Sequence, residues 1–187
     1  ISFGIETIKV YSKPKIGLIS TGNELIEVGN KLGYGQIFES NSSTIINALI
    51  SYSYEVGNYN HIQDDYESVK NGIENMLSKS DVLLLSGGIS VGDYDFVKRA
   101  LEDNGVEQVF YKINQKPGKP LFFGRKENKF VFALPGNPAA ALTCLYVYVL
   151  PLLNKLSGKQ KLQLARKQFE LASDFNNITN YKLFSGA

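Results

Sequence analysis

At 187 residues, with 43% hydrophobic and 20% charged content, the chain can hold one full α/β domain and a piece of another, with the composition of an ordinary globular protein. A net charge of +2, with 20 basic residues spread along the chain, argues against nucleic-acid and anionic-membrane partners. A single cysteine (Cys144) excludes an intramolecular disulfide framework and a cysteine metal cluster, and a single histidine (His61) argues against a histidine-built metal site.

Strand and helix signals alternate along the chain. Residues 15–19 predict a short apolar strand, and Asn41 or Ser42 is placed to cap a helix over 41–54 with Ile45, Ile46, Leu49 and Ile50 on one face. Residues 55–62 predict a second strand. Asp64 and Asp65 then cap a helix carrying Val69, Ile73, Met76 and Leu77. The apolar run at 81–85 predicts a third, buried strand, followed by a glycine-rich loop and a helix with Phe96, Val97, Ala100 and Leu101 that Gly105 stops. Residues 106–113 predict a fourth strand. Two more, over 121–124 and 129–134, are joined by a polar hairpin through Glu127 and Asn128. Pro138 opens a long apolar helix to about 156, with a kink expected at Pro151.

This alternation implies a largely parallel sheet covered by helices on both faces, with the hairpin adding an antiparallel strand. Residues 1–12 read as an incoming linker and 159–187 as a β-like segment too short to fold alone, which marks the chain as a fragment of a longer protein. No run approaches the ~20 apolar residues of a membrane span, and the N-terminus does not read as a signal peptide, so a cytoplasmic location is expected.

Polar and glycine-rich clusters follow nearly every strand: Thr21, Gly22, Asn23 and Glu24; Asp64 and Asp65; the loop from Ser86 to Asp95; Lys116, Pro117, Gly118, Lys119 and Pro120; and Pro135, Gly136, Asn137 and Pro138. In open α/β sheets ligands bind beyond the carboxyl ends of the strands, so a parallel sheet brings the first three clusters and the last to one rim. Each cluster has two readings. The loop with Ser86, Gly87, Gly88, Ser90 and Gly92 is a tight turn or a backbone cradle for phosphate, and it matches neither the Walker A nor the dinucleotide spacing. Two lysines held between prolines form a solvated turn or a cationic fork for an oxyanion. Glu24, Asp64 and Asp95 hold Mg²⁺ at phosphate oxygens, or Asp64 caps a helix and Asp95 balances a helix dipole. Pro135 to Pro138 starts a helix or forms a rigid site wall.

Taken together, Ser-Thr-Gly-Asn-Glu-Leu (20–25), Ser-Gly-Gly-Ile-Ser-Val-Gly-Asp-Tyr-Asp (86–95), Lys-Pro-Gly-Lys-Pro (116–120) and Leu-Pro-Gly-Asn-Pro (134–138) resemble the molybdopterin-binding domain of the molybdopterin molybdenumtransferase family, which includes MoeA and the gephyrin E domain. The resemblance spans about residues 13–158, and 159–187 resemble the start of that family's β-rich C-terminal domain. It implies a three-layer α/β/α fold and an enzyme that takes adenylylated molybdopterin and molybdate, releases AMP and inserts molybdenum into the dithiolene. It implies that Glu24, Asp64, Asp95, Lys116 and Lys119 are catalytic, with Asp64 and Asp95 on Mg²⁺ and the lysines on molybdate. Thr21, Gly22, Asn23, Ser86, Gly87, Gly88, Ser90 and Gly92 would line the pterin phosphate and nucleotide region, and Pro135, Gly136, Asn137 and Pro138 the wall. It also implies a homodimer in which the missing N-terminal domains complete the partner's site, so that this fragment alone turns over poorly. Ala139 and Ala140 stand where the family commonly has Val-Ser, which removes a hydroxyl from the oxyanion site. Two other readings compete: the sister molybdopterin adenylyltransferase of the same fold, whose glycine loop and later Pro-Gly-Ser-Pro differ at Ser90 and Asn137, and a non-catalytic pterin-binding or scaffold module.

Overall fold

The computed structural model describes residues 4–26, 28–89, 94–165, 167–168, 170, 172 and 180–184, with residues 94 and 95 described in the main chain only. In chain order the elements are β1 (Ile16–Thr21), β2 (Leu25–Ile26), β3 (Ile37–Phe38), α1 (Asn41–Ser51), β4 (Val56–Ile62), α2 (Tyr66–Lys79), β5 (Val82–Ser86) and α3 (Tyr94–Asp103). They continue with β6 (Glu107–Tyr111), β7 (Gln115–Lys116), β8 (Phe122–Lys126), β9 (Lys129–Leu134), α4 (Pro138–Cys144), a π turn (Leu145–Val149), α5 (Leu150–Leu156) and β10 (Lys182–Leu183).

Six strands form one sheet in the order β4-β1-β5-β9-β8-β6. The first four run parallel, and β8 is antiparallel to both of its neighbours, β9 and β6. The central strands are apolar at nearly every position because both faces are covered. Alternate side chains enter opposite layers, as the two-residue strand period requires. Ile16, Leu18, Val82, Leu84, Phe132 and Leu134 pack against Ile45 and Leu49 of α1, Cys144 of α4, and Leu150 and Leu153 of α5. Ile19, Leu83, Leu85, Val131 and Ala133 pack against Val69, Ile73 and Met76 of α2 and Val97, Ala100 and Leu101 of α3. The fold is therefore the expected three-layer α/β/α arrangement with a mostly parallel sheet.

Two local expectations are corrected. Neither Asn41 nor Ser42 caps α1: Ser40 occupies the cap position without a side-chain bond, and the buried carboxylate of Glu39 instead accepts from the Ser42 amide at 2.9 Å and from the Ser42 hydroxyl. Ile50 is exposed, because the buried stripe runs through Ser42, Ile45, Ala48 and Leu49 and Ile50 lies one residue beyond it. At Pro151, where a kink is expected, the helix carries a π turn over the five residues Leu145–Val149. A proline removes an N–H and crowds the carbonyl four residues earlier, and the wider i→i+5 register accommodates both.

Pro138–Leu156, taken as one helix, is long and apolar enough to cross a membrane by length and composition, contrary to the sequence expectation. Here it is the core helix, burying Ala140, Ala141, Cys144, Leu145, Val149, Leu150 and Leu153. Among the described residues after 158, the only strand is β10, which pairs in parallel with β7.

Candidate active site

The carboxyl ends of β4, β1, β5 and β9 share a rim, with Ser20 level with Ser86 and Ser86 level with Leu134. The antiparallel direction of β8 brings a fifth cluster to the same place. Phe122, at the start of β8, is level with Ala133 near the end of β9, so the loop before it, with Lys116 and Lys119, also opens onto this rim. Its buried Gly118 packs against the first turns of α4, within 3.5 Å of Ala140 O measured from where a Cβ would stand.

Hydrogen bonds tie the rim together. Asp64 accepts at Oδ1 from the Thr21 hydroxyl (2.8 Å), and its amide donates to Asn23 Oδ1 (3.2 Å). Gly87 has φ +97°, and a Cβ there would stand 2.1 Å from Thr21 O, so the β5 loop crosses the β1 loop in backbone contact. Only glycine allows that approach. Gly88 lies beside both Thr21 and Asp64, a Cβ on it being 3.6 Å from Asp64 Oδ1. No signal in the sequence marks Asn41 as a bridge, yet its Nδ2 donates to Ser86 Oγ (3.2 Å) and Gly136 O (2.7 Å), joining the β5 and β9 loops. Its Oδ1 is buried without a hydrogen-bond partner among the described residues.

The two aspartates that the sequence left paired divide their roles. Asp65 is the N-cap of α2, accepting from the Ser68 amide at 2.9 Å, which leaves the Asp64 carboxylate turned to the rim. Hydrogen bonds from the Ser68 amide and then its hydroxyl hold the Asp65 carboxyl below its ordinary 3.8. A carboxyl lowered on folding stabilises above its unfolded pKa, and that contribution disappears as the pH falls through the lowered value. Asp65→Ala is therefore expected to melt below the parent at pH 7, with the gap closing under acid conditions below about pH 4. Paired thermal melts across pH 2–7 check this.

Asn137, like Asp65, is a helix cap: its Oδ1 accepts from Ala140 N of α4 at 3.1 Å, while Pro135 is buried and Gly136, Asn137 and Pro138 are exposed. Glu24 is exposed in the turn entering β2, its carbonyl accepting from Ile37 N at 2.9 Å. Lys116 and Lys119 are exposed, and the Lys119 ammonium bonds the Tyr181 hydroxyl at 3.2 Å and stands 5.3 Å from the centre of its ring. Ser90, Gly92 and the Asp95 side chain lie outside the described residues. Among the described residues no three His, Cys, Asp or Glu side chains group to hold a metal, and Asp64 is the carboxylate that the hydrogen bonds place on the rim. Burial pushes the Cys144 thiol up to about 12, partly offset by Gln115, so it is an inert core thiol.

The family described as a probable molybdopterin binding domain matches residues 17–155, which hold all of the sheet but its first residue, Ile16, together with the rim. The chain belongs to this family. Within the molybdopterin-binding-domain family, the chain is 41% identical to the molybdopterin molybdenumtransferase of Haemophilus influenzae over 86% of its own length and 39% of the relative's. It is 32% identical to that of Staphylococcus epidermidis over 96% of its length and 43% of the relative's, so it spans about two fifths of these proteins. The solved structure of the molybdopterin biosynthesis MoeA protein from Pyrococcus horikoshii superposes with a TM-score of 0.70 at 35% identity, covering 80% of this chain and 37% of that one. The molybdopterin biosynthesis enzyme MoaB from Thermus thermophilus, at 18% identity and TM-score 0.57 over 78% of this chain and 98% of that one, shares the fold alone.

Proposed function

We propose that this chain is the pterin-binding part of a molybdopterin molybdenumtransferase in molybdenum cofactor biosynthesis, acting on adenylylated molybdopterin and molybdate with release of AMP. The observation that carries the reading is the convergence of a glycine loop, a carboxylate and a lysine loop on one rim, in a chain whose relatives bear that name. The backbone of Ser86, Gly87 and Gly88 cradles the phosphates, with Ser90 and Gly92 continuing the loop. Thr21, Gly22 and Asn23 line the floor beside it, and Pro135 to Pro138 the wall. Lys116 and Lys119 draw the molybdate oxyanion; an ammonium has three donors, so the Lys119 bond to Tyr181 leaves two for it. Ala140 offers no hydroxyl, which throws oxyanion binding onto the lysines.

Mg²⁺ is ordinarily held by one or two carboxylates together with substrate phosphates, and Asp64 beside Gly88 would supply one such carboxylate. In our reading Asp64 and Asp95 would hold the ion, which would offset negative charge at the pyrophosphate, and Glu24 would serve as a further acidic group. The intact protein acts as a cytoplasmic homodimer, with 1–12 leading from N-terminal domains, 13–158 binding the pterin and 159–187 opening a β-rich domain.

The test is to incubate the intact protein with adenylylated molybdopterin, molybdate and Mg²⁺, and to follow AMP release and activation of a cofactor-free molybdoenzyme. Molybdate-dependent AMP release is expected, with Lys119→Ala raising the molybdate KM roughly tenfold. Adenylylation of molybdopterin from ATP would favour the sister adenylyltransferase, and binding of the pterin without turnover would favour a scaffold. Either result overturns the proposal.

A further inference from the structure

The loop that presents Lys116 and Lys119 rests on a buried amide at its own entrance. Gln115 is 2% exposed, and both ends of its amide are engaged. Nε2 donates to Pro117 O at 2.9 Å and reaches Cys144 Sγ at 3.6 Å, while Oε1 accepts from the Tyr148 hydroxyl at 2.6 Å. Gly118 lies directly on this group: its φ is +94°, and a Cβ there would stand 2.7 Å from both Gln115 Nε2 and Cys144 Sγ. Cys144 in turn contacts Gly118 O at 3.8 Å. Tyr148 belongs to the π turn Leu145–Val149 and Cys144 is the last residue of α4 immediately before it, so the core helix supplies both props, one of them from its irregular turn. Irregular turns of this kind recur where a helix serves a site.

A glutamine this deeply buried satisfies its own donors and acceptor at a cost in desolvation, which a plain apolar side chain in the same space would avoid. What the amide adds is direction. It fixes the carbonyl of Pro117 and the backbone at Gly118, the two residues between the lysines, so the spacing of the two ammonium groups is set from beneath the loop. We propose that Gln115 is a positioning residue for oxyanion binding, held in orientation by Tyr148, and that it acts through Lys116 and Lys119 without touching substrate. This rests on the reading that the lysine loop takes molybdate.

Steady-state kinetics of the intact protein, varying molybdate and adenylylated molybdopterin separately, tests it. Gln115→Met keeps length and volume but loses every amide hydrogen bond. It is expected to raise the molybdate KM roughly tenfold while the pterin KM stays within about twofold, and Tyr148→Phe to raise the molybdate KM about threefold. An unchanged molybdate KM in Gln115→Met, or an equal rise for both substrates, overturns the proposal, the second result marking a general packing role. If Gln115→Met does not fold, Tyr148→Phe, which removes one hydroxyl from a half-buried ring, decides alone. Lys119→Ala separates the two levels. Should it leave the molybdate KM unchanged, the loop is not the oxyanion site and both readings fall. Should it raise that KM while Gln115→Met and Tyr148→Phe do not, only the positioning role is lost.

Discussion

Asp64→Asn is expected to leave the fold intact and to lower molybdate-dependent AMP release by about 100-fold or more. The substitution is nearly isosteric. The new side chain still carries an oxygen at the position that accepts from the Thr21 hydroxyl, and the main-chain N–H at this position still meets Asn23 Oδ1, so these two bonds survive. What it loses is the negative charge, on which a hard cation such as Mg²⁺ depends for its protein ligand. Capping of α2 is unaffected, because Asp65 provides it. Melting temperature and AMP release measured on the same preparation check the prediction, and activity within a few fold of the parent would remove Asp64 from the machinery.

Gly87→Ala should be the most damaging single-methyl change on the rim. The residue combines a left-handed backbone, φ +97°, with a Cβ position 2.1 Å from a main-chain oxygen, Thr21 O, which no side-chain rotation relieves. The β5 loop has to move away from the β1 loop, and Ser86, which bonds Asn41, moves with it. The conformational penalty together with the displaced contact amounts to about 3 kcal/mol or more. For a chain of this size that corresponds to a fall in Tm of roughly 6–12 °C. Because the displaced loop is also the proposed phosphate cradle, activity should fall further than stability explains, even well below the new Tm. A thermal melt and an assay at 25 °C separate the two effects. A variant with the parent's Tm would mean that the two loops do not touch as described.

Much of this fold was legible because strand and helix periods were clean. The unbroken apolar run from Val82 to Leu85 marks a strand covered on both faces, and Val69, Ile73, Met76 and Leu77 all fall in the core as their spacing demands. Boundaries that depend on tertiary context were less legible. The Glu39 carboxylate takes over the start of α1 from outside the helix, and Ile50 loses its place in the core to Ala48 because helix rotation is set by the whole sheet face. At the site, the residue types that advertise chemistry were readable one cluster at a time, and the motifs carried the family. The connections between clusters were not readable. The use of Asn41 as a bridge, of Gln115 as a support and of Tyr181 as a lysine partner arises from contacts between residues 45 or more positions apart, or from a side chain turned inward beneath a loop. Such roles leave no local period or spacing in the chain. Placement of the lysine loop depended on the direction of β8, which a polar hairpin signals only weakly.

The burial of β1 and β5 between two helical layers has a consequence for how the molecule opens. Their side chains are all buried, and β5 is hydrogen-bonded on both edges, to β1 and β9. Amide hydrogens in these strands are expected to exchange with solvent only when the whole domain unfolds, whereas those of the described loop residues at their ends can exchange through smaller local openings. On the proposed reading, the described rim residues can adjust to a large, charged ligand without the sheet opening. Binding and release would then draw on the loops, while the sheet beneath them stays closed.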